Sequence, residues 1–430
     1  MRRLAPPASS TPIVTSGHGF KTLCSGNSDV LRVQSWIREA GTLALMIRKK
    51  RLMTPGPAPV HPDAVAAAVE PLPHHRAAEF KPRFAAVQQN LQAAFRTAGP
   101  VGVLASSGTG AVEAALTNLF AAGDRILVVA SGKFGERWGE VAECFGMRVR
   151  SVPMSPGEVF GPDEMAEAIA AFRPVQGVVI TASETSTGGA LDVKALVRAA
   201  RRVEPEVAIV VDAITAVGAM PVETDKWELD AVCGGSQKAF MVPPGLGFVA
   251  CSPRGWDRVR EARKKPRFYF DLRKYADRAA DDQTPFTPAT SLILELEAAL
   301  RALDDAGGIK ALEQNAARLA RATRAAAAAL GLDLLSADAP SSAVTAIRAP
   351  RSGMAPDIVA AMRQDHGVYV AGGQGELKPD IFRIGHLGYI DEVDLLGTLA
   401  TLERVLSGLG HDLQLGTAVA AAAAELDSDG

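Results

Sequence analysis

Cysteine is scarce in this 430-residue chain. The four cysteines, at positions 24, 144, 233 and 251, form no C-x-x-C pair. That excludes a disulfide framework and a zinc ribbon, and no metal is expected. Long apolar runs are missing as well: none reaches the ~18 residues that a membrane span needs. Arg2 and Arg3 resemble the start of a secretion signal, but APPASSTPIVTSG supplies no apolar h-region behind them. The expected setting is the cytoplasm, with no membrane partner. Net charge is only −2 at pH 7, so nothing global draws the chain to nucleic acid or to an anionic surface. What remains is 47% hydrophobic and 22% charged, the composition of a globular protein long enough for two or three domains.

Residues 1–45 lack periodicity and are rich in Ser, Thr, Gly and Pro. They read either as a disordered leader or as sequence upstream of a true start at Met46 or Met53. An N-terminal arm is expected over 46–65. From 66 to 307, short apolar runs (VGVLAS, RILVVAS, MRVRSV, QGVVITA, VAIVVDA, LDAVCGG, GFVACS) alternate with amphipathic stretches such as GTGAVEAALTNLFAAG and LDVKALVRAARRV. Continuous apolar strands between amphipathic helices predict an α/β domain, a mostly parallel sheet covered by helices on both faces. Residues 289–307 bridge out of it. Over 308–410 a long Ala-rich helix, the strand-like SAVTAIRA, GVYVAGG and DIFRIGHLG, and a last helix predict a smaller α+β domain. The tail, 411–430, is low-complexity and expected to be flexible or weakly helical.

In such sheets ligands sit at the carboxyl ends of the strands, and several polar residues fall there. Lys238, in GGSQKAFMVPPG, follows a buried strand. An unpaired ammonium is costly to bury, so this lysine either sheds its proton and becomes a nucleophile toward carbonyls or lies on a surface loop. Asp212 ends the apolar strand VAIVVD, where a carboxylate needs a cationic or hydrogen-bonding partner or else caps the next segment. Ser107, Gly108 and Thr109, in SSGTGAVEAAL, join a strand to a helix whose free N–H groups suit a phosphate, with an ordinary N-cap as the alternative. The segment is neither a P-loop nor G-x-G-x-x-G. Phe134, in SGKFGERW, can face a flat ring, and Glu184 and Thr185 stand at another strand end. Together these describe a site for a flat, anionic, aldehyde-bearing cofactor. Pyridoxal 5'-phosphate meets each element, whereas a nicotinamide would leave Lys238 and Asp212 unexplained.

With these residues in hand, the chain resembles the class V aminotransferases of fold type I, nearest to the alanine–glyoxylate and serine–pyruvate or serine–glyoxylate branch. The resemblance runs from about Arg51 to Leu409 through TPGPAPVHPD, SSGTGAVEAAL, GKFGERW, ETSTGG, DAITAVG, GSQKAFMVPPG, TPFTPATSLILELEAAL and FRIGHLGY. It implies a Schiff-base lysine at Lys238, Asp212 against the pyridinium nitrogen, and Ile214 and Phe134 on the two ring faces. It also implies Ser107, Gly108, Thr109 and Gln237 at the phosphate and Thr185 at the ring hydroxyl. Thr287 would reach the phosphate of the other subunit in a homodimer whose active sites lie at the subunit interface. Arg383 would take the substrate α-carboxylate, and Gly56 would pass near the substrate. One departure is Thr284, where some relatives have a tyrosine, which implies a weaker cross-subunit contact.

The expected reaction moves an amino group from a small L-amino acid, alanine or serine, to a 2-keto acid such as glyoxylate or pyruvate. Small neutral donors are expected because no second basic residue matches a side-chain carboxylate clamp. The alternatives are phosphoserine or aminoethylphosphonate transamination, with His366 and Lys378 as candidate extra cations, and a non-catalytic accessory subunit of a redox complex. Cysteine desulfuration is discounted because no cysteine follows position 251.

Overall fold

The computed structural model describes residues 48–261 and 267–428, so the expected leader, residues 1–45, lies outside the described residues. Seven strands build the main sheet: β1 (Val101–Ala105), β2 (Arg125–Ala130), β3 (Arg148–Pro153), β4 (Gly177–Thr181), β5 (Ala208–Asp212), β6 (Ala231–Gly235) and β7 (Leu246–Ala250). Their spatial order is β1-β7-β6-β5-β4-β2-β3, with β7 antiparallel to both neighbours and the other pairs parallel. The expected mostly parallel α/β sheet is thus present, with one reversed strand.

Strand alternation explains why these runs are apolar throughout. On β2, Leu127 and Val129 enter one buried core while Ile126 and Val128 enter the other. On β5, Ile209 and Val211 divide from Ala208 and Val210 in the same way. Two covered faces leave no position where a polar side chain would be cheap, so polar groups collect at the strand ends. Helices α1 (Gly108–Leu119) and α2 (Lys133–Cys144) begin directly after β1 and β2, and α3 (Val193–Val203) leads into β5.

Two successive glycines with positive φ, Gly307 and Gly308, separate α4 (Thr290–Asp305) from the 22-residue α5 (Gly308–Ala329). Beyond them lies a second core, which gathers Leu319, Ile347, Phe382, Ile384 and Leu399. It surrounds a three-stranded antiparallel sheet of β8 (Val344–Arg348), β9 (Ala371–Gly372) and β10 (Ile381–Gly385), together with helix α6 (Glu392–Gly408). The N-terminal arm joins this part of the molecule. Arg51–Leu52 pairs in parallel with Val368–Tyr369, and Met53 is buried in the second core.

The tail differs from expectation. Residues Thr417–Asp427 form helix α7, which buries Ala418, Ala422 and Leu426 in the second core. Alanine spacing of four puts one face of the helix on α5, and small side chains allow the close approach. Glu403 on α6 accepts from the N–H groups of Gly416 and Ala418, and Arg321 on α5 pairs with Glu425 at 3.0 Å. A low-complexity alanine run has little apolar surface per residue, which is why its docking was not legible from composition.

Candidate active site

The carboxyl ends of β1, β2, β4, β5 and β6 open onto one cavity of about 300 Å3, lined among others by Gly56, Thr109, Phe134, Asp212 and Lys238. That volume is at the small end of small-molecule sites. Hollows of about 490 and 990 Å3 exist elsewhere, but neither gathers the strand-end residues.

Lys238 is buried, and its Nζ donates to the carbonyl oxygen of Pro55 at 2.7 Å. Burial pulls its pKa down to about 8; the Asp212 carboxylate opposes that shift and the Arg383 guanidinium adds to it. A free amine is therefore accessible near neutral pH, the condition for nucleophilic attack. Gly56, with φ of +132°, passes against the lysine so closely that a Cβ there would collide with Nζ, Cδ and Cε.

Asp212 lines the same cavity. Its Oδ1 accepts from the N–H of Ile214 at 3.0 Å and its Oδ2 from the indole Nε1–H of Trp138 at 2.8 Å. Burial raises its pKa to about 7, while the Ile214 N–H, the indole and Lys238 pull the other way and Glu184 adds to the rise. A carboxylate in this position favours a cationic partner. Ile214 lies beside it and closes on Gly108, where a Cβ would meet its side chain.

Helix α1 opens onto the cavity with Ser107 as N-cap, whose side chain makes no capping hydrogen bond. The N-terminal N–H groups of this helix, with the hydroxyls of Ser107 and Thr109 on the wall, offer donors to an anion. Gln237 also lines the cavity, and its Oε1 is buried without a partner.

Helix α2 presents Phe134 and, four residues on, Trp138 to the same wall. Its first turn is held by Glu184, a buried carboxylate. Oε2 accepts from the N–H groups of Phe134 and Gly135, and Oε1 accepts from the N–H and hydroxyl of Ser186. Thr185 follows, buried and lining the cavity.

Ten of the residues singled out from sequence thus converge: Gly56, Ser107, Gly108, Thr109, Phe134, Thr185, Asp212, Ile214, Gln237 and Lys238 all line this cavity. Arg383 is not among the lining residues but bonds the backbone of Thr185, which is. Its Nη1 donates to the Thr185 carbonyl at 2.5 Å, and Nε and Nη2 donate to Gly372 O at 2.9 and 2.5 Å. Burial lowers its pKa to about 10, with Glu184 opposing. Three N–H groups are used, which leaves one on each terminal nitrogen for a carboxylate. Thr287 is exposed and does not line this cavity.

Sequence reasoning passed over Trp138 and Arg137, although both lie in the quoted GKFGERW. Arg137 lines the cavity, with its guanidinium carbon 5.0 Å from the Phe134 ring centroid. The four-residue spacing from Phe134 to Trp138 was the available signal. The indole's partner, 74 residues away, was not.

The residues fit a flat, anionic aldehyde: an open helix N-terminus, an unpartnered buried amide oxygen, a carboxylate floor, and an amine with space kept for it by Gly56. The sequence model of the aminotransferase class-V family matches residues 63–386. The "Soluble hydrogenase, small subunit" of Synechococcus sp. (strain PCC 6716) is 42% identical over 88% of this chain and 99% of its own. The L-aspartate–glyoxylate aminotransferase of Paracoccus denitrificans is 33% identical, over 88% and 96%. Among solved structures, an aspartate aminotransferase from Thermus thermophilus superposes with a TM-score of 0.77 at 34% identity, covering 83% of this chain and 99% of that one.

Proposed function

The chain belongs to the class-V aminotransferase family and is a pyridoxal-phosphate-dependent transaminase; from that premise we propose that it moves the amino group of a small L-α-amino acid to glyoxylate or a comparable 2-keto acid such as pyruvate. The observation that carries this reading is the convergence of Lys238 and Asp212 on one cavity, where the buried amine is bonded through Nζ to the Pro55 carbonyl and the buried carboxylate to the Trp138 indole and the Ile214 N–H.

Bound pyridoxal phosphate supplies an aldehyde that condenses with amines and a ring that takes up the electrons of a breaking Cα–H bond. Lys238 supplies the amine at Nζ and, as free base, moves the proton from the substrate Cα. Asp212 offers its carboxylate to the ring nitrogen. Phe134 and Ile214 would hold the ring faces, and Thr185 would take the ring hydroxyl. Ser107, Gly108, Thr109 and Gln237 hold the phosphate. Arg383 directs its two remaining N–H groups to the substrate α-carboxylate, a fork that sets orientation as well as affinity. Gly56 keeps the substrate side of the lysine open. In the same reading the enzyme is a homodimer, and the exposure of Thr287 suits a residue that serves the partner's site.

Alanine and serine are the donors favoured by the sequence reading, for want of a second cation. Arg137 on the cavity wall is such a cation, and it makes no ion pair among the described residues. It favours a second reading, a donor with a side-chain carboxylate such as aspartate, in keeping with the names of the Paracoccus and Thermus relatives. Neither His366 nor Lys378 lines the cavity, which disfavours phosphorylated substrates. The name of the Synechococcus relative raises an accessory role in a redox complex, against which stand the retained Lys238, Asp212 and Arg383.

The test is a half-reaction screen. Each L-amino acid is added to the aldehyde form of the holoenzyme, and loss of its cofactor absorbance is followed. Fastest loss with alanine or serine upholds the first reading, and fastest loss with aspartate the second. No response to any L-α-amino acid sinks both.

A further inference from the structure

We infer that Trp138 is a positioning residue for the Asp212 carboxylate: through its indole N–H it fixes the plane of that carboxylate and favours its ionised form. The inference rests on the proposed role of Asp212 at the cofactor ring nitrogen.

The geometry is specific. Trp138 is fully buried, and its Nε1–H lies 2.8 Å from Asp212 Oδ2. The Ile214 N–H lies 3.0 Å from Oδ1. One donor on each oxygen stops rotation about the Cβ–Cγ bond and leaves the remaining lone pairs for a partner in the cavity. An indole donates and cannot accept. It therefore stabilises a carboxylate and has little to offer a carboxylic acid whose proton needs an acceptor. This matters because the other groups facing Asp212 do not agree. Lys238 favours the anion, whereas Glu184 disfavours it; Cys233, opposite Asp212 in the sheet, is a buried thiol with its own pKa pushed up. Lys238 Nζ donates to the Pro55 carbonyl, while the donors on the Asp212 oxygens are the indole and the Ile214 N–H.

The support of the indole is also built in. Trp138 shares a face of α2 with Phe134, and Glu184 ties the first turn of that helix through the N–H groups of Phe134 and Gly135. One helix thus carries both the residue that faces the ring and the residue that holds the ring's counter-ion. The relation is tertiary, between the helix after β2 and the end of β5.

Trp138→Phe keeps an aromatic ring and removes the N–H, leaving a small cavity where the rest of the indole lay. In the holoenzyme we expect kcat of the donor half-reaction to fall by roughly tenfold to a hundredfold, the effect of losing one hydrogen bond to a charged group, with KM little changed. The pH profile of cofactor absorbance should shift in the direction of weaker ring protonation. A second readout is independent of turnover. In the 15N-labelled holoenzyme, the Trp138 indole N–H resonance, assigned as the one lost in Trp138→Phe among four tryptophans, should lie downfield. It should move upfield in Asp212→Asn, where a charged acceptor becomes a neutral one. An unshifted indole resonance in Asp212→Asn, or an unchanged kcat and absorbance profile in folded Trp138→Phe, overturns the inference. A wild-type rate in Asp212→Asn overturns instead the role of Asp212 on which the inference rests.

Discussion

Gly56 passes against the side chain of Lys238 so closely that no other residue fits without moving the amine. The lysine's Nζ is held at 2.7 Å by the carbonyl of Pro55, one residue earlier in the chain, and a Cβ on Gly56 would overlap Nζ itself. The N-terminal arm and the strand-end lysine, far apart in sequence, therefore share one small volume.

The first prediction concerns that contact. Gly56→Ala introduces a side chain at φ of +132° and into the space of Nζ. It should lower stability by about 1–3 kcal/mol and reduce the fraction of cofactor that borohydride links to the protein, with the global fold retained. Mass spectrometry of the reduced protein measures this. Full labelling in Gly56→Ala would show that the arm does not constrain the lysine.

Lys238→Ala removes the amine and opens space around Pro55. Turnover should fall at least about a thousandfold, equivalent to ~4 kcal/mol, while cofactor is retained noncovalently by the phosphate-binding wall. Reduction with borohydride followed by peptide mapping should find no labelled lysine. A different labelled lysine would move the assignment elsewhere.

Lys238 and Asp212 also set a pH dependence for the cofactor-free protein. Asp212 holds its proton up to about 7 in the fold but only to ~3.9 when unfolded, so stability falls as pH rises through that interval. Lys238 releases its proton above about 8 in the fold but only above ~10.4 when unfolded, so stability recovers as pH rises from about 8 toward 10. The melting temperature should pass through a trough between about 7 and 8. Asp212→Asn should flatten the acid limb and Lys238→Met the alkaline limb. A profile identical in both variants and wild type would rule out this pair as its source.

Arg383→Lys keeps a cation but loses the fork and two of the carbonyl contacts to Gly372 and Thr185. We expect a loss of about 2–4 kcal/mol in kcat/KM for amino acids, with cofactor binding intact. Decarboxylated amines should be penalised far less. Equal penalties for amines and amino acids would mean that Arg383 does not read the carboxylate.

Removal of residues after Gly410 should destabilise the protein by about 2–4 kcal/mol, chiefly through the lost burial of Leu426 and the alanine face of α7. Thermal or urea unfolding measures this. An unchanged midpoint would return the tail to the status its composition suggested.

The sequence by itself determined the architecture of the main sheet. Apolar runs such as RILVVA and VAIVVD, short and β-branched, read as strands covered on both faces, and the helical periodicity between them points to a mostly parallel arrangement. The same logic placed Ser107, Asp212 and Lys238 on one rim, because a fully apolar strand pushes its polar neighbours to the ends. Tertiary structure decided the rest. Which donor meets Asp212 depends on where the helix after β2 crosses β5, and no local pattern in GKFGERW encodes that distance. That Arg383, on a strand of the second sheet, bonds the Thr185 carbonyl at the end of the main sheet depends on the packing of two cores against each other. The docking of α7 depends on many small alanine contacts and on the caps from Glu403. Periodicity reports the environment of a residue relative to its own element; the identity of its partner is fixed only when distant elements are brought together.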